Sequence, residues 1–187
     1  MMNDTEIWLE RLNSLYRSQM RQAASLAGVQ LVHFEILQYL SICNHYSNTA
    51  QAVSDYFGQT KGSISQSLKA MEKSGYIKRI PSPEDKRSMK IHLTEQGKAC
   101  LQQVTENSQL HHRDDTDTIQ AIKTILLNWQ TSSKASGFGQ CLSCSYHQSS
   151  GDGEVDKEFT CGLTKAPLSR LDIRKICREH TFQTVDI

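Results

Sequence analysis

Apolar side chains are scarce in this 187-residue chain: 37% of residues are hydrophobic and 7% aromatic, against 22% charged. Such a composition describes a soluble, surface-rich protein, one that gains burial by pairing with a second copy. No run of about 18 apolar residues occurs, which excludes a membrane-spanning helix. The opening MMNDTEIWLERL lacks the apolar core and small-residue cleavage site of a secretory signal, so the expected location is the cytoplasm. No glycine loop is built to cradle a phosphate, and no nucleophile has an identifiable base, which speaks against an enzyme. Charge of one sign is also lacking, since the net is +1. The six cysteines do not suit a disulfide scaffold in a reducing compartment. Metal binding and redox sensing are the readings left for them.

What the chain does have is helical spacing. From residue 5 to about 27, Trp8, Leu12, Leu15, Tyr16, Met20, Ala23 and Ala27 recur at steps of three and four. A second helix after Gly28 carries His33, Ile36, Leu37 and Leu40 on one face and ends near Asn44. Asn48 then reads as an N-cap, with Gln51 reaching back in a capping box. Gly58 closes that short helix in the left-handed conformation. Thr60 caps the next helix, whose Ile64, Leu68 and Met71 form one buried stripe up to Gly75. Two short helices joined by a tight turn containing Gly make a helix-turn-helix.

YIKRI and SMKIHL flank PSPEDKRS, and Met89, Ile91 and Leu93 alternate with Lys90 and His92. That is the period of a half-buried strand in a β-hairpin with a long loop, a wing. Thr94 caps a helix with Cys100, Leu101 and Val104 inward. HHRDDTD, with His111, His112, Asp114, Asp115 and Asp117, reads as a solvated connection whose acids favour the start of the following helix. In that last helix Ile119, Ile122, Leu126 and Trp129 are in phase, and Trp8 and Trp129 read as core on dimer helices. From Ser132 the pattern stops at a small-residue linker, SSKASGFG.

Charge gathers where a winged helix needs it. Positions 61 to 90 hold eight basic and three acidic residues, a net +5 within a chain of net +1. A basic face of this kind is the electrostatic footprint of a duplex binder. With Ile64, Leu68 and Met71 inward, Lys61, Gly62, Ser63, Ser65, Gln66 and Lys69 face out. Small hydroxyls at 63 and 65 allow close approach, and Gln66 can bond adenine bidentately. Amides near Thr60 can hold a phosphate. Arg87 has the reach to enter a neighbouring minor groove, with Asp85 orienting its guanidinium and Lys86 between them. Singly, each of these is ordinary solvated surface; together they form a reading face.

These residues are familiar. NTAQAVSDYFGQTKGSISQSLKAMEKSGYIKR, followed by PEDKRS and LTEQGKA, resembles the MarR family of winged-helix transcriptional regulators over roughly residues 31 to 101. The resemblance implies a homodimer held by the N- and C-terminal helices, binding a palindromic operator as repressor or activator. It implies wing positions for Asp85 and Arg87 and recognition-helix positions for Ser63, Ser65 and Gln66. It also implies a small-molecule ligand as a possible partner. The sequence departs from the family at Gly62, where a hydroxyl is common, and at Gln66, where an arginine is common.

The chain runs on past the point where the family's last helix ends it. Cys141, Cys144, Cys161 and Cys177 are separated by two, sixteen and fifteen residues. Four thiolates are the full complement for a tetrahedral zinc or an iron–sulfur cluster. Structural zinc sites favour two close pairs and this tail has one, GQCLSCSYHQ, so a cluster is preferred and zinc is the alternative. The spacing is also similar to that of high-potential iron–sulfur proteins. Leu142, Tyr146, Phe159, Leu163, Leu168, Leu171 and Ile176 could form a dry shell, and His147 and His180 could replace one cysteine. About 45 residues are too few to fold on their own core without such a staple. Cys43 and Cys100, in phase with apolar faces, read as buried inert thiols.

The expected fold is mainly α, an α+β winged helix: a MarR-type dimer with helical dimerisation elements, a two-stranded wing and a small loop-rich cysteine module. Residues 1–30 would be the N-terminal dimerisation helix and 31–94 the DNA-binding domain. Residues 95–131 would be the C-terminal dimerisation helices and 132–187 the metal-binding tail. The expected function is sequence-specific control of transcription, with the four-cysteine site sensing redox state, oxygen or metal. One alternative is a ligand-responsive regulator with a purely structural zinc; another, weaker one is a cysteine-dependent redox or metal enzyme.

Overall fold

The structure, a computed structural model, describes residues 2–82, 88–108, 115–133, 135–151 and 158–182. In order it has α1 (Asp4–Leu26), α2 (Leu31–Ile42), α3 (Ala50–Phe57), α4 (Lys61–Lys73), β1 (Ile77–Pro81), β2 (Met89–Leu93), α5 (Glu95–Asn107) and α6 (Thr116–Ser133). The tail adds β3 (Gly139–Gln140), β4 (His147–Ser150), β5 (Glu158–Cys161), β6 (Pro167–Leu168) and β7 (Ile176–Cys177). Mainly helical with a two-stranded wing, β1 with β2, this is the expected fold class. The wing tip with Asp85, Lys86 and Arg87 lies outside the described residues, as do His111, His112 and Asp114.

Short polar side chains set the helix starts. Asn3 caps α1 in a full capping box: its Oδ1 accepts from Glu6 N at 2.9 Å, and Glu6 Oε2 accepts from Asn3 N at 2.8 Å. Thr94 caps α5 by accepting from Gly97 N at 3.0 Å. Asp115 caps α6, accepting from Thr118 N at 3.0 Å. At α3 the expected cap moves by one residue. Thr49, not Asn48, accepts from Ala52 N at 3.2 Å, and Gln51 donates to Asp55 at 2.6 Å instead of closing a box. Asn48 is buried, its backbone carbonyl accepting from Ile91 N at 2.8 Å, while its side-chain oxygen makes no cap bond. Gly58 ends α3 at φ 60°, as expected.

The chain divides into two compact units. One holds the residues up to 41, 66–79 and 92 to the end of α5. Its core joins Met20, Ala23 and Ala24 of α1 to Phe34, Ile36, Leu37 and Tyr39 of α2, Leu68 and Met71 of α4, Ile77, and Cys100 and Val104 of α5. Burying each large member is worth about 1.5–3 kcal/mol. α1 and α5 pack together. α5 also runs so close to the turn between α4 and β1 that a Cβ on Gly97 would lie 2.1 Å from the Tyr76 carbonyl oxygen. The N-terminal half of α1 leaves this core, and Trp8 is 72% exposed.

The other unit holds 42–65, 80–82, 88–91 and the chain from α6 onward. The tail, expected to be loop-rich, builds two small sheets. β3 pairs antiparallel with β7, Gly139 opposite Cys177 and Gln140 opposite Ile176. β4, β5 and β6 form a three-stranded antiparallel sheet with His147 opposite Cys161 and Phe159 opposite Leu168. Strands of two to four residues are too short to show a period, so the sequence pattern stops where they begin. The tail core is Cys141, Leu168 and Ile173 with Phe159 and Cys161 packed on it. Leu142 and Leu171, expected in a dry shell, are exposed at 56% and 74%. Met89 is exposed too; of the three alternating residues Ile91 is the buried one. Trp129, Ile119, Ile122 and Leu126 on α6 are exposed in the single chain rather than core, as Trp8 is on α1.

Candidate DNA-reading helix and cysteine site

α4 starts from Thr60, whose Oγ1 accepts from Ser63 N at 3.2 Å. Ile64, Leu68 and Met71 are at most 1% exposed. That fixes the helix rotation and turns Thr60, Lys61, Gly62, Ser63, Gln66 and Lys69 to solvent, with Ser65 half-buried. The first turn carries no acidic residue to oppose an incoming phosphate. Further along, Arg79 Nε donates to Glu72 at 2.9 Å, so two of the charges in this segment neutralise each other. That hydrogen bond holds the Glu72 carboxyl below its ordinary range and raises the Arg79 guanidinium.

The four tail cysteines arrive from three places. Cys141 opens a 3₁₀ turn directly after β3, and Cys144 closes it with its N–H donating to Cys141 O at 3.0 Å. Cys161 ends β5, and Cys177 ends β7. All four line one cavity of about 240 Å³, with Asn44, Tyr46, Tyr146, Leu163, Thr164, Leu168 and Glu179. Two expected members of the dry shell, Leu163 and Tyr146, are in the lining while also reaching solvent. Neither histidine is in it. His147 Nδ1 sits 3.7 Å from Cys141 Sγ and its ring stacks on Phe159. His180 is buried, with Nε2 3.1 Å from Ser143 Oγ.

The thiols are not equivalent. Burial, reinforced by the negative charge of the other three cysteines and Asp172, pushes Cys141 up to about 11. Burial would also raise Cys161, but hydrogen bonds at Thr164 and Leu163 and the charge of Lys165 outweigh it and lower this thiol. Burial raises Cys177, partly offset by hydrogen bonds from the Asn44 and Ser47 side chains. Four thiolates facing one cavity repel one another, and a cation among them reverses that balance. Outside the site, Cys43 and Cys100 are the buried thiols expected, and burial pushes Cys43 up to about 12.

Asn44, Tyr46 and Ser47 went unnoticed in the sequence. They lie almost a hundred residues before Cys141, in a turn with no motif of its own. Their one signal is that Asn44 and Ser47 are polar and only 4% and 0% exposed.

The profile of the MarR family matches residues 27–88. The HTH-type transcriptional regulator PapX of Escherichia coli is 28% identical over 95 residues, 51% of this chain and 58% of that protein. SarZ of Staphylococcus haemolyticus, also an HTH-type transcriptional regulator, is 31% identical over 74 residues, 36% of this chain and 50% of that protein. The chain thus spans about half the length of the curated relatives it matches. Among solved structures, apo MarR from E. coli is similar with a TM-score of 0.52 and 16% identity, covering 69% of this chain and 98% of that one. CouR from Rhodococcus jostii RHA1 bound to p-coumaroyl-CoA gives 0.53 and 17%, covering 70% and 92%. These neighbours are matched nearly end to end, leaving a remainder of this chain about as long as the cysteine tail. Among the described residues no helix is long and apolar enough to cross a membrane.

Proposed function

We propose that this chain, whose residues 27–88 carry a MarR-family winged helix, is a cytoplasmic transcriptional regulator with an iron–sulfur cluster in its tail. It reads duplex DNA with Thr60, Lys61, Ser63, Ser65, Gln66 and Lys69 of α4, and with Asp85, Lys86 and Arg87 of the wing. It works as a homodimer on a palindromic operator. Supporting the dimer are the apolar stripes of α1 and α6, where Trp8, Leu12, Ile122 and Trp129 are each at least half exposed in the single chain.

The observation that carries the cluster is the convergence of Cys141, Cys144, Cys161 and Cys177 on one cavity of about 240 Å³. Zinc draws its ligands to ~2.3 Å, which brings four sulfurs within about 4 Å of one another and leaves no space among them. A cubane of four irons and four sulfides needs the space at the centre of its ligands, and the donor set of four thiols is the one such clusters take. When bound, the cluster would supply a centre sensitive to oxygen and redox state. The protein's own part is to present two cysteines from the 3₁₀ turn and one each from the ends of β5 and β7, and to line the site with Leu168, Tyr46 and Tyr146.

The test is four single serine variants at 141, 144, 161 and 177 beside Cys43→Ser and Cys100→Ser. Iron and acid-labile sulfide bound per chain should fall in each of the first four and stay unchanged in the last two. Equal loading in all six, or one zinc per chain in the parent, would turn the site into a structural clasp and move the signal to an organic ligand.

A further inference from the structure

The turn between α2 and α3, residues 43–48, is held from two sides. On the tail side, Asn44 N donates to Ile176 O at 2.9 Å, and Cys43 and Ile176 form a β-bridge. Arg178 N donates to Ser47 Oγ at 2.9 Å, and Arg178 Nε donates to Asp55 of α3 at 2.6 Å. Cys177 lies in the chain between these two anchors, and it lines the cysteine cavity together with Asn44. On the wing side, Ile91 N donates to Asn48 O at 2.8 Å. Lys90 Nζ donates to His45 O at 2.7 Å and stands 5.9 Å from the centre of the Tyr46 ring. Tyr46 itself lines the cysteine cavity and accepts from Thr164 Oγ1 at 3.3 Å.

We propose that this turn is the transmission between the cysteine cavity and the DNA-reading head. It is bonded to Ile176 and Arg178, the two neighbours of ligand Cys177, on one face and holds wing strand β2 on the other, so cavity occupancy and operator affinity bias each other. The inference rests on the cluster reading above. The path here is short and lies within one chain: Cys177, then Asn44 and Ser47, then Asn48 and Lys90. A loaded cavity fixes Cys177 and its neighbours Ile176 and Arg178, which fixes the turn and with it the root of the wing. A head already ordered loses less freedom on meeting DNA, so the loaded form binds more tightly. Reciprocity requires that operator DNA retain the cluster by the same factor.

The experiment uses the full chain, loaded with iron and sulfide or stripped of them, with duplexes enriched from a random-sequence pool by the loaded protein. The loaded parent should bind these duplexes at least about five-fold more tightly than the stripped parent, the low end of ordinary coupling between sites. Amide exchange at residues 43–48 and 89–91 should slow on loading. Lys90→Met removes the side-chain contact on the wing side, leaving the bond from Ile91 N to Asn48 O, and changes no residue that lines the cavity. It should load iron and sulfide like the parent, slow at 43–48 like the parent, and lose most of the loaded-to-stripped ratio in affinity. Using that ratio cancels any phosphate contact Lys90 makes directly. Ser47→Ala tests the other side: loading should still protect residues 141–150 but no longer 89–91. A parent that takes up iron and sulfide yet shows equal affinity and unchanged exchange at 89–91 overturns the transmission and leaves the cluster standing. So does a full ratio in Lys90→Met. A parent that takes up neither iron nor sulfide overturns both.

Discussion

Ile64 and Gln66 sit two residues apart on α4 and should fail in opposite ways. Ile64 is fully buried at 0% exposure, while Gln66 is exposed. Truncating a fully buried isoleucine to alanine costs about 2–5 kcal/mol. For a domain of this size each kcal/mol moves the melting temperature by roughly 2–4 °C, so Ile64→Ala should melt about 4–20 °C lower. Gln66→Ala removes exposed atoms only, and stability should stay within about 0.5 kcal/mol. Its cost lies in DNA recognition instead. Losing one bidentate base contact removes ~1–3 kcal/mol of discrimination at one position, about 5- to 150-fold between right and wrong base. The assay is thermal unfolding by circular dichroism beside titration of duplexes that differ at single positions. Folded Ile64→Ala should keep the parent's preference; Gln66→Ala should keep its melting point and lose preference at one position. A large melting shift in Gln66→Ala, or an unchanged preference in it, would refute the rotation of this helix in the groove.

Other outcomes follow from the same geometry. Operator affinity should fall about 3.5-fold per engaged phosphate between 50 and 200 mM salt, and Lys69→Ala should flatten the log–log slope by about 1. In metal-free protein a short iodoacetamide pulse at pH 8 should label Cys161 first among the tail cysteines. The thiolate is the reactive form, and Cys161 is lowered while Cys141 sits at about 11 and Cys43 at about 12. Raising the pH should narrow that order, and mass spectrometry of the peptides reads it. Gly97→Ala, a change that ordinarily favours a helix, should cost about 1–3 kcal/mol by overpacking. The new Cβ meets the Tyr76 carbonyl at 2.1 Å, and that atom is backbone and cannot swing away.

The winged helix was legible because local chemistry and long-range packing agree there. The stripe Ile64, Leu68, Met71 is buried as its spacing requires, and Gly58 and Thr94 do what those residue types do at helix ends. The start of α3 lies one residue later than its sequence suggests because Asn48 and Thr49 are both good caps, and residue type alone does not choose between neighbours. The four cysteines could be picked out by type and number. Their convergence on one cavity could not, because it depends on strand pairs such as Gly139 with Cys177 that join residues far apart in sequence. The reading-head residues at the site were illegible for the same reason. Asn44 and Ser47 carry no spacing signal, and their role is visible only once β7 is seen beside them.

The most direct test of the account is the visible absorption and the iron, sulfide and zinc content of full-length protein purified without oxygen. The account predicts brown protein with about four irons and four sulfides per chain, as a cubane on four cysteines requires, and colour that bleaches in air. Colourless protein carrying one zinc per chain, or no metal at all, would contradict it.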